Sequence, residues 1–547
     1  MGSTETARAA PDAGRYDSTR AERFAWLTPR VAVPVLAGLM LVGLALRLAK
    51  LWDGVYADEL STLYIVRGRS LGDMLDIVSS DAEVSPPLSF IASWAFARLG
   101  SAPELIRLPS LVAGMASIPL TYLVGTRAVG RTAGLVAAAI VALSPFMVYF
   151  STEARGYALA IAFLLASTLT LLRALRSPGR RWWVAYAVFG ALAMYSHYTA
   201  AFPLAAQLLW VLWAAPRARA AALVANLLAL ILYLPWLPGV LGDTSSSTLP
   251  LVEAFVASGF DAKLTALAAW AFGGPYLPPA DFPGTWVVAL GAAGVAVAAV
   301  AAIAAGARRP APVGPPAIEH GTALLICLGL SAPALELALA LAGGPEIFGS
   351  RNLGSASAGM ALAIGALVSA AGPLWGGVAL AAVMVAFVAG SAANLGSANA
   401  KPDFEAAARW IDARAEPGDV IVDVHDVRST PVPLTPLDAY LGGGFDTFRP
   451  LMPVGPPPFL PFESEPPPAG RLIDRALREG RGSRVFVVGL DERMVTSGGA
   501  LAAIEIGPAG DPGSELFALP GSARTVESAR FPGLRDIDLF LLEDGKR

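Results

Sequence analysis

Apolar positions in this chain gather into long runs. Eleven stretches, 31–51, 105–125, 132–150, 157–175, 182–196, 198–215, 219–239, 285–306, 321–342, 353–371 and 374–395, approach the roughly 20 residues that cross a hydrocarbon core about 30 Å thick as helix. They predict a polytopic α-helical membrane protein. A twelfth apolar stretch, "SPPLSFIASWAFARLG" at 85–100, has only about 22 Å of helical rise before Gly100 and is expected to lie along the membrane surface within a long first loop, 52–104. From residue 398 the pattern changes. "KPDFEAAARWIDARAEPGDVIVDV" reads as an amphipathic helix followed by a continuous apolar strand, "RLIDRALREGRGSRVFVVGL" repeats it, and "DIDLFLL" supplies another strand, with Pro-rich loops such as "MPVGPPPFLPFESEPPP" between them. The organisation expected is a polar tail at 1–24, a membrane unit at 25–397 and a soluble α/β domain at 398–547.

Lys and Arg settle the expected orientation. They cluster in "RAERFAWLTPR", "TRAVGR", "RALRSPGRR", "PRARA" and "ARRP", at the start of the chain and then in alternate loops, so the positive-inside rule assigns all five to the cytoplasm. Had 85–100 spanned, most of these loops would move outside. The N-terminus is then cytoplasmic and disordered. The loops 52–104, 151–156, 240–284 and 343–352, and everything after the eleventh span, are extracytoplasmic. "MGSTET" fits a myristoylation pattern no better than chance would.

Composition agrees with this frame and removes other functions. Of 547 residues 55% are hydrophobic and 15% charged, with a mean hydropathy of +0.57. The net charge of -3 argues against a nucleic-acid partner, and a single cysteine, Cys327, excludes a disulfide framework and a cysteine metal cluster. Bias toward Ala, Gly, Arg and Pro points to a bacterium, hence to its inner membrane.

Polar residues that look chemical collect on the expected external face. Asp58 and Glu59 in "YADELSTLYIVRG" are joined by Asp81 and Glu83 before a Pro-Pro pair; Glu153, Arg155 and Tyr157 stand in "YFSTEARGYAL"; His197 and Tyr198 in "SHYTA"; Arg351 in "EIFGSRNLG". Each has a plain alternative. Asp58 would N-cap a surface helix with Leu60, Leu63, Tyr64 and Arg67 on one face, Arg155 and Arg351 would snorkel to headgroups, and His197 would be an interfacial residue beside Tyr195 and Tyr198. Together they place proton acceptors, phosphate-holding arginines and aromatic faces suited to a sugar on one side of the membrane.

The order and spacing of these elements resemble the glycosyltransferase C superfamily, in the branch of protein O-mannosyltransferases and lipid A aminoarabinose transferases (glycosyltransferase family 39-like). The resemblance is strong over 54–160, patchy to about 371, and absent from the soluble domain. It implies a donor sugar on a polyprenyl phosphate, decaprenyl or undecaprenyl phosphate in a bacterium, and a glycan, lipid or protein acceptor. Transfer would be a single displacement with inversion. Asp58, at the first acidic position of the family's loop motif, would be the general base, with Glu153 the second catalytic acid. Arg351 and Arg155 would hold the phosphate, and Glu59, Glu83, Tyr157, His197 and Tyr198 would line the sugar or acceptor site. Glu59 also reads as a structural partner of Asp58, because adjacent helical residues point about 100° apart. A divalent metal held by Glu153 with Asp58 or Glu83 is a possible cofactor. "EVS" before the Pro-Pro pair lacks the lysine of the aminoarabinose enzymes, which argues against that sugar. The rival class is a transporter or flippase of lipid-linked sugars without transfer chemistry. It would show inverted repeats, of which none is visible in the sequence, and its charges would lie within the spans, whereas here the acids crowd the external loops.

Overall fold

The computed structural model describes residues 29–80, 83–177, 179–246, 259–275, 277–307, 320–344, 346–423, 434–443, 446–448, 473, 475–478, 484–490, 523–533 and 536–544. The tail 1–24, Asp81 and the Pro-rich segment 452–468 lie outside them. Each of the eleven apolar runs is helical, as expected of a backbone that must satisfy its own hydrogen bonds in lipid. Among the described residues eight helices are long and apolar enough to cross a membrane: Arg30–Leu51, Pro103–Ala128, Tyr157–Arg176, Pro216–Thr244, Thr285–Gly306, Gly321–Leu341, Asn352–Ala370 and Pro373–Asn394. The run at 132–150 is a bent pair, Arg131–Leu143 and Pro145–Ser151, meeting at 63°. The runs at 182–196 and 198–215 form shorter helices, Arg180–Ser196 and Ala201–Ala214. The chain is a polytopic helical membrane protein with a C-terminal sheet.

The bend has a local cause. Pro145 has no N–H to continue the helix, so the last carbonyls before it lose their partners. Arg47, fully buried on the first helix, donates to the carbonyls of Val141 (3.1 Å), Ala142 (3.2 Å) and its own Gly43 (3.0 Å), and the Ser391 hydroxyl donates to Leu143 O. Ser144 caps the second half through Met147 N–H at 3.3 Å. Arg47 on the first span and the buried Glu336 on Gly321–Leu341 correct the expectation that charges keep to the loops.

Around a core that includes Ile118, Val141, Leu171, Leu325, Leu362 and Phe387, the helices divide by exposure. Tyr157–Arg176 is mostly buried and central, whereas Pro216–Thr244 is mostly exposed and presents Leu223, Val224, Leu227 and Leu230 outward, which in water would be a large apolar patch and in lipid is the natural surface.

The first loop is structured. Helices Asp58–Val66, Leu71–Val78 and Leu88–Phe96 share a small core of Leu60, Leu63, Met74, Phe90 and Ile106. Leu60 and Leu63 are therefore buried, not spread on a lipid surface, which corrects the surface-helix alternative. The 240–284 loop also carries a helix, Phe260–Phe272. In the C-terminal unit the helix Phe404–Asp412 precedes strand β1 (Val420–Asp423), and β2 (Asp446–Phe448), β3 (Arg484–Leu490), β4 (Ala523–Phe531) and β5 (Ile537–Asp544) complete a sheet of order β2-β1-β3-β5-β4. β1 pairs parallel with β2 and β3; β5 pairs antiparallel with β3 and β4.

Candidate active site

One end of the helical bundle gathers the segments 52–59, 83–85, 153–157, 197–199, 351–355 and 399–404. Thr62 donates to Ala154 O at 2.9 Å, Ser355 to Thr199 O at 3.0 Å, and Ser110 to Arg155 O at 3.3 Å. Gly156 lies so close to the 196–197 turn that a Cβ there would come within 1.9 Å of Ser196 O, so only glycine fits. Arg127, Arg173 and Arg176 lie near one another elsewhere, at the ends of their helices away from this cluster, with Arg176 donating to Arg127 O.

Asp58 opens its helix after Ala57, whose φ of 54° is left-handed and strained for a residue with a Cβ. The cap residue is thus Ala57, with no side-chain cap hydrogen bond, and the N-cap alternative for Asp58 is corrected. Arg351 reaches Asp58 across 293 positions of sequence, its guanidinium NH1 3.4 Å from Oδ2, with side chains 20% and 28% exposed respectively. This pair is open to solvent.

Glu59 points into the protein, as neighbouring helical residues must diverge. Its carboxylate takes Arg107 Nε at 2.7 Å and NH2 at 2.6 Å, the Ala154 N–H at 2.9 Å and Lys401 Nζ at 2.5 Å. Burial pushes this carboxyl up, but the Arg107 and Lys401 charges outweigh burial and hold it at about 2. Arg107 also donates to the carbonyls of Leu51 (2.7 Å), Asp53 (2.5 Å) and Gly54 (3.0 Å), fixing the loop that leads to Asp58.

Glu153 is sealed beside Glu59. Lys401 Nζ lies 2.5 Å from its Oε2, while Oε1 is buried without a hydrogen-bond partner. Burial, reinforced by the Glu59 charge, pushes it up to about 7, with Lys401 and Arg107 working against the rise. Glu83 instead takes both arms of Arg155, at 2.9 and 3.0 Å, and Ser85 at 2.7 Å. Against the cost of burial, that pairing raises the affinity of Arg155 for its proton. Any phosphate meeting Arg155 must compete with a bidentate carboxylate. Among the described residues no group of three or more His, Cys, Asp and Glu is arranged to hold a metal. Asp58, Glu83 and Glu153 each pair with a basic side chain, Arg351, Arg155 and Lys401 respectively.

Aromatic groups stand alongside. The Tyr157 ring is 4.4 Å from that of His197 and 4.1 Å from that of Phe150. Burial, with Arg155 and Arg351 nearby, lowers His197 to about 3, so the imidazole is neutral. Its Nδ1 accepts the Thr199 N–H at 3.3 Å and lies 2.8 Å from the Thr199 hydroxyl. The Tyr198 hydroxyl is engaged with Asp243 and accepts from Trp236 Nε1 at 3.0 Å.

Lys401 and Arg107 escaped the sequence reading. Both are basic residues at the expected external end of a span, against the positive-inside bias, and that anomaly was the available signal.

Residues 84–238 match the family described as dolichyl-phosphate-mannose-protein mannosyltransferase. The matched segment holds Arg107, Glu153, Arg155, Tyr157, His197 and Tyr198, and leaves out Asp58, Glu59, Arg351 and Lys401. No curated protein sequence matches the chain. Among solved structures, the Archaeoglobus fulgidus oligosaccharyltransferase tethered to an acceptor peptide is 13% identical with a TM-score of 0.47, covering 76% of this chain and 64% of its own. ArnT from Cupriavidus metallidurans bound to undecaprenyl phosphate is 14% identical with a TM-score of 0.39, covering 93% and 97%. The Saccharomyces cerevisiae protein O-mannosyltransferase complex bound to its sugar donor is 18% identical with a TM-score of 0.30, covering 40% and 33%. This chain spans 64% of the archaeal enzyme's length. Over residues 84–238 it is similar to the dolichyl-phosphate-mannose-protein mannosyltransferases, within the glycosyltransferase C superfamily that its sequence resembles.

Proposed function

We propose that this protein is an integral membrane glycosyltransferase of the bacterial inner membrane, with the Asp58 face and the C-terminal domain (398–547) extracytoplasmic. It moves a sugar from a polyprenyl phosphate to a glycan, lipid or protein acceptor with inversion. The observation that carries this reading is the half-open Asp58–Arg351 pair, an acid and a bidentate phosphate partner 3.4 Å apart beside the Tyr157 and His197 rings. With no donor present the two charges neutralise each other. A donor phosphate draws Arg351 to itself, since guanidinium and phosphate oxygens form two parallel charged hydrogen bonds, and Asp58 is released to the acceptor hydroxyl.

The acceptor oxygen then attacks the anomeric carbon as Asp58 takes its proton. The bond from that carbon to the phosphate oxygen breaks, and the electron pair leaves with the phosphate. The leaving group is a stable anion and needs no general acid, so the requirement is positive charge where negative charge grows, which Arg351 supplies. Asp58 is favoured over Glu153 as base because the Glu153 side chain is 1% exposed and occupied by Lys401. Glu153 becomes a supporting residue.

The test uses purified protein in lipid with radiolabelled polyprenyl-phosphate sugars and envelope acceptors. Asp58→Asn keeps the shape but cannot take the proton, so turnover falls about 10²- to 10⁴-fold with donor still bound. Arg351→Ala weakens donor binding and Arg351→Lys restores part of it. Near-normal turnover in Asp58→Asn sinks the assignment, and donor movement without product favours a transporter.

A further inference from the structure

The segment that follows the last apolar helix is tied to the loop carrying Asp58. Lys50 Nζ donates to Asn399 O at 3.1 Å and pairs with Asp53 at 2.7 Å; Asp53 Oδ2 accepts the Lys401 N–H at 3.3 Å. Gly54 packs so tightly here that a Cβ would meet Pro402 O at 2.4 Å. Phe404 stacks on Tyr56 with centroids 6.4 Å apart. Tyr440 accepts the Val55 N–H at 2.8 Å and donates to Glu104 at 2.6 Å. Residues 53–56, which lead into the strained Ala57 turn, are thus held by the C-terminal part of the chain. Lys401 goes furthest in, its Nζ 2.5 Å from both Glu59 and Glu153 and 5.1 Å from the Tyr149 ring centroid.

We infer that Lys401 is a positioning residue for transfer, a strap through which the C-terminal unit sets the orientation of Asp58. The inference rests on reading Asp58 as the base. Glu59 and Glu153 are both fully buried, and two carboxylates cannot share a dry site without cations. Arg107 cannot supply both, because its donors are spent on Glu59 and three loop carbonyls. Lys401 completes the balance of two positive and two negative groups. Without it Glu153 must hold a proton and Glu59 loses one of its anchors, one residue from Asp58. A small rotation of that first helical turn moves the Asp58 carboxylate off the acceptor hydroxyl, and misplacement of about 1 Å costs on the order of a hundredfold in rate.

The decisive variants are Lys401→Met and Lys401→Met/Glu153→Gln, assayed in the full-length protein in lipid beside Asp58→Asn. Lys401→Met lowers kcat about tenfold to hundredfold with donor KM little changed. Glu153, facing Glu59, Arg107 and Lys401, loses a cation that lowers its proton affinity, so the acid limb of the rate profile moves to higher pH. The double variant leaves no second carboxyl to be uncompensated, which covers the case in which the single variant fails to fold; its kcat stays lowered because Glu59 still lacks its lysine anchor, and the limb set by Glu153 is gone. Unchanged kcat and limb in Lys401→Met, alongside an inactive Asp58→Asn, overturns the strap alone. So does a double variant that turns over at the normal rate, since the lysine is then dispensable to Glu59 and Asp58. Full turnover in Asp58→Asn overturns the base reading instead.

Discussion

Removing Arg107 is the most severe single perturbation the site offers. Its guanidinium makes five hydrogen bonds, two to Glu59 and one each to the carbonyls of Leu51, Asp53 and Gly54, all between 2.5 and 3.0 Å, and the residue is fully buried. Arg107→Met fills similar volume but leaves Glu59 dependent on Lys401 and the Ala154 N–H, with three carbonyls unpaired. Breaking a buried pair from one side costs about 3–5 kcal/mol, mostly from the charge left behind. The expected loss is in that range, a factor of at least a hundred in the folding constant. The measurement is reversible unfolding in mixed detergent micelles, with Glu59→Gln as the second arm of a double-mutant cycle. Because the two residues contact each other, the costs are strongly non-additive, by about 2 kcal/mol or more. A loss under about 1 kcal/mol that simply adds to that of Glu59→Gln refutes the picture of a dry, mutually dependent pair.

Two further outcomes follow from the same geometry. Glu153, pushed up to about 7, binds its proton more tightly folded than unfolded, so its contribution to stability falls as pH rises from about 4.5 to 7, whereas Glu59, held at about 2, contributes stability above about 4.5 that is lost as pH falls toward 2. Glu153→Gln therefore flattens the melting-temperature profile between pH 4.5 and 7 and removes the rate limb near pH 7; an unchanged slope and limb show that Glu153 does not titrate there. In a Cys327→Ser background, an impermeant thiol reagent on intact cells labels cysteine at Ser101 or at the exposed Ser528 but not at Arg217, and labelling at Arg217 alone inverts the proposed topology.

Local pattern determined a good deal here. Apolar runs of span length located the eight long helices, the bent pair and the two shorter helices at 180–196 and 201–214, because a chain in lipid has few other ways to satisfy its backbone, but not Phe260–Phe272, which fell in a stretch read as loop. The helix–strand repeats foretold Phe404–Asp412, β1, β3 and β5. Asp58, Glu59, Glu83, Glu153, Arg155, Tyr157, His197 and Arg351 were all marked, and the structure brings them to one end of the bundle. The pairing of those charges was beyond the sequence. Asp58 finds Arg351 293 positions away, Glu153 finds Lys401 248 away and Glu59 finds Lys401 342 away, and no periodicity encodes contacts at such separation. Lys401 read as a solvated lysine heading a polar domain, and Arg107 as one charge near a helix start, since burial is a property of the packed chain. β4, with residues 524–528 all exposed, shows no apolar alternation and went unseen. The bend after Leu143 needed Arg47 and Ser391 from two other helices to satisfy its carbonyls. Sequence set which residues carry charge and which segments enter lipid; the desolvation of those charges, which only tertiary packing imposes, decided which carboxylate is locked by cations, which titrates near neutral pH, and which stays partly exposed.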